Sequence, residues 1–251
     1  MVSFDLTGRK AIVTGGAQGL SRKMAEGLME AGAAVAIIDI SPELTETVAV
    51  YDKAGYSCYG ILADLSVQTQ RERAFEEAVQ ALGGIDILVN GAGIQRRHKS
   101  EEFPLEDWNL VLEINLTAVF SLCQLAAREF LKQGGGKIIN IASMISFFGG
   151  YTIPAYAASK GGVAQITKAF ANEWACHNIN VNALAPGYMD TDMNRALLAD
   201  EVRNLEITSR IPAHRWGTGE DMKGPVLFLA SEASSYLNGA VIPVDGGYLS
   251  R

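Results

Sequence analysis

Tyr156 and Lys160 stand four residues apart in a stretch of helical apolar spacing, Pro154 to His177, so their side chains share one helix face about 6 Å apart. A phenol titrates near ~10 and a neighbouring cation favours its ionised form, so such a pair is suited to proton transfer near neutral pH. Tyr/Lys pairs at this spacing also occur on helix surfaces without function; the company they keep sets this one apart. Ser143 ends a β-branched run thirteen residues upstream, and Asn115 sits inside the apolar segment Glu113-Ile114-Asn115-Leu116. A buried amide within a helix is costly unless its hydrogen bonds are met, which marks Asn115 for a role.

A second constellation lies near the N-terminus. The run Lys10 to Thr14 leads into Gly15-Gly16-Ala17-Gln18-Gly19-Leu20-Ser21, and a helical pattern follows directly. Glycines there let the chain reverse tightly and bring backbone N–H groups, with the positive end of the helix, against a pyrophosphate. A glycine turn alone serves packing as readily as ligand binding, but the context adds to it. The next strand ends at Asp39, 20 residues past Gly19, where a carboxylate can accept from both ribose hydroxyls and repel a 2′-phosphate. Its neighbours Ile38 and Ile40 and the loop residue Gln18 are uncharged, so NAD is expected over NADP. Capping of the next helix falls instead to Ser41, before Pro42. Asp64-Leu65 and Asn90-Gly91-Ala92-Gly93 follow further strands and should line the same crevice.

Directly after that last loop comes Ile94-Gln95-Arg96-Arg97-His98-Lys99, and a second basic group, Arg210, His214 and Arg215, lies further on. Around one mouth these would favour a small anionic substrate, with Arg96 or Arg97 gripping a carboxylate. The alternative is a solvated loop or a subunit contact. The segment Tyr188 to Gly217, with a helical pattern near Met193 to Asn204, is expected to cover the site.

These groups need a scaffold. Strands are expected at Lys10–Thr14, Ala34–Ile38, Ser57–Leu62, Ile85–Val89, Lys137–Ile141, Ile179–Leu184 and Val241–Val244. Helical spacing fills Leu20–Glu30, Pro42–Ala54, Gln68–Leu82, Leu105–Lys132, Pro154–His177 and Asp221–Ser231. Most strands are apolar on both faces, as a helix-covered parallel sheet requires. The expectation is α/β: a single doubly wound Rossmann domain over residues 1–251, with a seven-stranded parallel sheet and helices on both faces.

Composition agrees. The 251 residues are 48% hydrophobic and 20% charged, ample for a large core. Twenty-six glycines with only 7 prolines suit tight turns rather than disorder. A net charge of −7 argues against nucleic acid or an anionic membrane as partner. Three widely spaced cysteines make neither a metal knuckle nor a disulfide framework, which places the chain in a reducing, cytoplasmic compartment. Met1 to Asp5 opens no signal peptide, and no apolar stretch is read as reaching the ~18 residues of a membrane span.

Taken together, the Thr14-to-Gly19 turn, Asp64, the Asn90-to-Gly93 loop, Asn115, Ser143, Tyr156-x-x-x-Lys160 and Pro186-Gly187 followed by Thr191 resemble the short-chain dehydrogenase/reductase family over nearly the whole chain. One departure is Ser21, where the family turn usually carries a third glycine. The resemblance implies hydride transfer with a nicotinamide dinucleotide, Tyr156 as acid/base, Lys160 and the nicotinamide's own positive charge lowering the phenol pKa, and Lys160 also holding the nicotinamide ribose. It further implies Ser143 orienting the substrate oxygen, Asn115 holding a proton-relay water, and Pro186, Gly187, Met189 and Thr191 at the carboxamide. Within the family, Gly93 to Arg97 and Arg210 to Gly217 look most like the sugar-acid dehydrogenases, and the long helices imply a four-helix contact in a homotetramer. No metal site is expected. A gluconate-type, neutral polyol or ketose, or 3-oxoacyl reductase remains an alternative, as does a catalytically silent dinucleotide-binding subunit.

Overall fold

β-Branched, doubly apolar segments can satisfy their backbones only inside a ladder, and all seven do so in one sheet. The computed structural model describes residues 3–251; of the N-terminal stretch read for a leader, Met1 and Val2 lie outside these. The strands are β1 (Lys10–Thr14), β2 (Ala34–Asp39), β3 (Cys58–Leu62), β4 (Ile87–Asn90), β5 (Gly136–Ile141), β6 (Ile179–Pro186) and β7 (Val241–Val244). They pair in the order β3-β2-β1-β4-β5-β6-β7, every pairing parallel. The order reverses direction between β1 and β4, and the carboxyl ends of those strands open the crevice in which such sheets bind ligands.

Helices α1 (Gly19–Glu30), α2 (Leu44–Lys53) and α3 (Gln68–Leu82) alternate with the first strands. They are followed by α4 (Leu105–Leu112), α5 (Ala118–Gln133), α6 (Pro154–Trp174), the short α7 (Arg195–Ala199) and α8 (Glu201–Arg210), and α9 (Glu220–Ala230). Burial splits into two layers. One face of the sheet packs Ile12, Ile38, Leu88 and Ile138 against α3, α5 and α6. The other packs Val13, Ile37, Val89 and Leu184 against α1 and α9. The third cluster, Met144, Ile207, Ile211, Trp216 and Tyr248, fastens the covering segment.

Several expected boundaries move, each for a tertiary reason. β6 runs on to Pro186 because β7 lies beside its last residues, Pro186 opposite Val244. Ser41 does not cap a helix beginning at Pro42: its hydroxyl accepts only the Glu43 N–H at 3.2 Å, its own N–H donates to Asp39, and α2 starts at Leu44. The pattern Met193 to Asn204 is cut at Asp200, whose carboxylate caps α8 by accepting the Arg203 N–H. Leu105 to Lys132 is not one α-helix; a π turn, Glu113–Thr117, separates α4 from α5. The continuous helical run Leu105–Gln133 is long and apolar enough to cross a membrane by length and composition, which corrects the reading that no stretch is. Here Val119, Leu122, Cys123, Ala126 and Phe130 of that run lie in the core.

Candidate active site

The glycine turn is built by close approach. Gly15 has φ +70, and a Cβ there would lie 2.7 Å from the Ala92 Cα. Thr14 Oγ1 accepts the N–H groups of Gly91 and Ala92 at 3.0 and 3.1 Å, fastening the two loops side by side. Ser21 is buried with its hydroxyl against Gly91, where any Cβ would collide with it. The missing third glycine is therefore matched by a glycine opposite. On the far side, a Cβ on Gly187 would meet Asp245. These backbone-only surfaces leave a cleft of about 530 Å³ lined by Gly15, Gln18, Gly19, Leu20, Asp39, Asp64, Leu65, Gly91, Ala92, Tyr156, Lys160, Pro186, Gly187, Met189 and Thr191. Its glycines let backbone approach a ligand closely, as the pyrophosphate of a dinucleotide requires.

Asp39 is buried; Oδ2 accepts the Ala17 N–H and Oδ1 the Ser41 N–H, both at 2.9 Å. It thus ties the glycine turn to β2 as well as facing the cleft, a structural duty that spacing did not reveal. Asp64 Oδ1 accepts from the Ser66 N–H and hydroxyl at 2.8 and 2.7 Å. Leu65 is held by its carbonyl, which accepts from buried Arg71 Nη1 at 2.7 Å, and that guanidinium also pairs with Glu113 at the start of the π turn. Asn90 corrects an expectation: its side chain points into the core, donating to Asn140 Oδ1 at 2.9 Å, and does not line the cleft. It stands on β4 opposite Asn140 in register, so the pleat turns it away from the opening.

Ser143, Tyr156 and Lys160 share one wall. Ser143 follows β5 and accepts the Ile145 N–H at 3.2 Å, while Ser146 accepts the Ser143 N–H and donates to the Lys160 carbonyl. Lys160 is buried, has no carboxylate partner among the described residues, and donates to the Ile141 carbonyl at 2.6 Å. Burial lowers its pKa to about 8. Its Nζ lies 5.7 Å from the Tyr156 ring centre. The Tyr156 phenol is held above its ordinary value by burial, which a hydrogen bond with Ser143 and the charge of Arg97 oppose.

Asn115, fully buried in the π turn, satisfies its amide completely. Oδ1 accepts the Ile94 N–H and Nδ2 donates to the Ile94 carbonyl, both at 2.9 Å, with Ser159 Oγ at 3.2 Å. Ser159 in turn donates to the Tyr156 carbonyl. Asn115 therefore fastens the loop after β4 to the helix that carries Tyr156.

Arg96 lines the cleft, and Arg97 is exposed beside it. The second basic group does not join them. Arg215 makes a two-pronged pair with Asp221 at 2.7 and 2.8 Å, Arg210 lies over the Tyr248 ring at 4.9 Å, and neither these nor His214 lines the cleft. Those charges are legible in the sequence, but their partners lie elsewhere in the fold. Spacing passed over the apolar wall of Leu110, Ile114 and Met193; the i, i+4 interval of the first two was its signal.

The profile of the short chain dehydrogenase family matches residues 9–202. The chain is 49% identical over 250 residues to the 2-dehydro-3-deoxy-D-gluconate 5-dehydrogenase of Dickeya dadantii, covering 99% of this chain and 98% of that one. It is 50% identical over 250 residues to the Escherichia coli K12 protein of the same name, with the same coverage. A crystal structure of a gluconate 5-dehydrogenase from Burkholderia cenocepacia, in complex with NADP and tartrate, superposes with a TM-score of 0.95 at 40% identity, covering 99% of this chain and 98% of the other.

Proposed function

The chain belongs to the short-chain dehydrogenase family, and from that premise we propose that it interconverts a hydroxyl and a ketone on an anionic sugar acid of the 2-dehydro-3-deoxy-D-gluconate type, with NAD. One observation carries this reading: Ser143, Tyr156 and Lys160 meet on the wall of a glycine-floored cleft that has Arg96 at its edge. The bound nicotinamide supplies the hydride acceptor or donor. Tyr156 exchanges the proton of the substrate oxygen, Ser143 donates to that oxygen and orients it, and Lys160 holds the nicotinamide ribose. Asn115 keeps the loop after β4 in register with α6 and sets the place of a relay water beside Lys160. Pro186, Gly187, Met189 and Thr191 hold the carboxamide. Arg96, which lines the cleft, meets the substrate carboxylate, and Arg97 adds charge at the rim.

An absorbance assay for NADH across 2-dehydro-3-deoxy-D-gluconate, gluconate and uncharged sugars tests the reading; turnover restricted to uncharged sugars would overturn it. Arg96→Ala is expected to raise the sugar-acid KM about 10- to 100-fold, the value of a hydrogen bond to a charged group, and Arg97→Ala less. The KM for NAD should hardly move in either; equal effects on both substrates would remove the carboxylate anchor.

The preference for NAD rests on Asp39. Its carboxylate closes β2 at the cleft, and Ile38, Ile40, Ala63, Leu65 and Ser66 around it carry no cation for a 2′-phosphate. The Burkholderia cenocepacia relative holds NADP, so the choice is made locally. Asp39→Asn keeps an acceptor for the Ala17 N–H but removes the repulsion. It should shift kcat/KM toward NADP by about 10-fold or more, the scale of one charge-assisted contact; a wild-type enzyme already indifferent between the two would refute the assignment.

For assembly we read a homotetramer built on α5 and α6, where half-exposed Phe120 lies 5.8 Å from Phe170, itself stacked on Trp174. The three free cysteines suit a cytoplasmic setting.

A further inference from the structure

We propose that Asp107 is a positioning residue for substrate recognition: it fixes the Arg96 guanidinium so that its outer nitrogen faces the substrate carboxylate. This rests on the reading of Arg96 as the carboxylate anchor. Asp107 stands in the first turn of α4, with Oδ1 3.4 Å from Arg96 Nε and Oδ2 2.6 Å from His98 Nε2. Arg96 Nη1 donates back to the Gln95 carbonyl at 3.2 Å. The guanidinium is thus engaged on its Nε side and at one Nη1 hydrogen, and among the described residues Nη2 has no acceptor. A guanidinium offers five donors in a rigid planar fork, so holding one edge aims the other.

The cluster also holds the loop in place. The His98 ring meets Phe103 edge-on at 5.1 Å, and the His98 N–H donates to the Thr152 carbonyl at 3.0 Å. Thr152 adopts φ +63, a conformation a β-branched residue rarely takes, and the chain enters α6 two residues later. The Asp107 carboxylate thus holds Arg96 and His98, and the His98 backbone joins the same loop to the turn that precedes Tyr156. Unheld, a long arginine on an exposed loop must be ordered each time the substrate binds, and that cost appears in KM rather than in the proton-transfer step.

The test is steady-state kinetics of Asp107→Asn, Asp107→Glu, Arg96→Ala and the double variant Arg96→Ala/Asp107→Asn, with 2-dehydro-3-deoxy-D-gluconate and NAD. Asp107→Asn should raise the sugar-acid KM about five- to tenfold, the cost of immobilising one long side chain, and leave kcat and the KM for NAD unchanged. Asp107→Glu, which keeps the charge, should recover most of the loss. In the Arg96→Ala background, Asp107→Asn should add nothing. An unchanged KM in Asp107→Asn, no recovery in Asp107→Glu, or full additivity in the double variant would overturn the proposal. If Arg96→Ala itself leaves KM unchanged, the anchor reading fails as well; if it raises KM while Asp107→Asn does not, only the positioning role falls.

Discussion

Tyr156→Phe should lower turnover by about 10²- to 10⁴-fold, the range of a positioned acid/base, while dinucleotide binding stays near wild type. Phenylalanine keeps the ring and its place between Ser143 and Lys160 and removes only the proton-bearing oxygen. The cleft floor is made by Gly15, Gly91 and Gly187, none of which depends on the hydroxyl, so affinity for the dinucleotide has no reason to fall. Because burial holds the Tyr156 phenol above its ordinary value, the group is protonated at neutral pH and serves readily as the acid in ketone reduction. Oxidation of the alcohol should gain from higher pH. Titration of NADH by fluorescence, beside turnover in both directions, reads the two effects separately. Turnover retained in the variant would remove Tyr156 from the proton transfer.

Lys160→Met should abolish most turnover and yet make the protein more stable at neutral pH. In the unfolded chain this lysine titrates at 10.5, and in the fold burial lowers it to about 8. Between those values the unfolded chain holds a proton that the folded one has released, so stability climbs with pH across that window. Below about pH 8 both states are protonated, and the full cost of burying the ammonium is present. At about 1.4 kcal/mol per tenfold change in proton affinity, the displacement from 10.5 to about 8 is worth about 3 kcal/mol. Loss of the hydrogen bond to the Ile141 carbonyl trims this by about 1 kcal/mol. The net gain of about 2 kcal/mol should raise the Tm at pH 7 by roughly 4–8 °C for a chain of this size, and the advantage should vanish by about pH 10.5. Thermal unfolding of wild type and variant at pH 7 and pH 10 checks this; a lower Tm for the variant at pH 7 would refute it. The strain at Lys160 is a stability cost carried at the site of function.

Much of this architecture is legible in the amino-acid sequence. The expected and observed helices coincide at Gln68–Leu82, because the apolar period there is regular and Gly83, at φ +69, ends it as only glycine readily can. β1 and β7 coincide as well, since short doubly apolar runs between turn residues have few alternatives. Other boundaries slip where a neighbour decides them. β6 extends to Pro186 only because β7 is there to pair with it. The π turn at Glu113–Thr117 leaves no mark in the sequence pattern, since hydrophobic period registers a face and not one extra residue in a turn. That turn brings Asn115 to the Ile94 backbone and Glu113 to Arg71, contacts between segments more than twenty residues apart.

The site divides in the same way. Residue type and spacing by themselves marked the candidate groups: a tyrosine and lysine on one helix face, a serine just past a strand, glycines at the first turn and a carboxylate ending the second strand. These are local facts, set by the period of a helix and by the ends of strands. Tertiary structure alone decided which charged groups meet. It turned Asn90 into the core, sent Arg215 to Asp221 and Arg210 to Tyr248, and left Arg96 at the cleft in the grip of Asp107. It also decided that the Tyr156 phenol is buried, which raises its pKa against the opposing hydrogen bond with Ser143. The physical reason is common to all of these. A side chain's chemistry is its own, but its pKa and its partner depend on what the fold packs within a few ångströms of it, and that neighbourhood is assembled from distant stretches of chain.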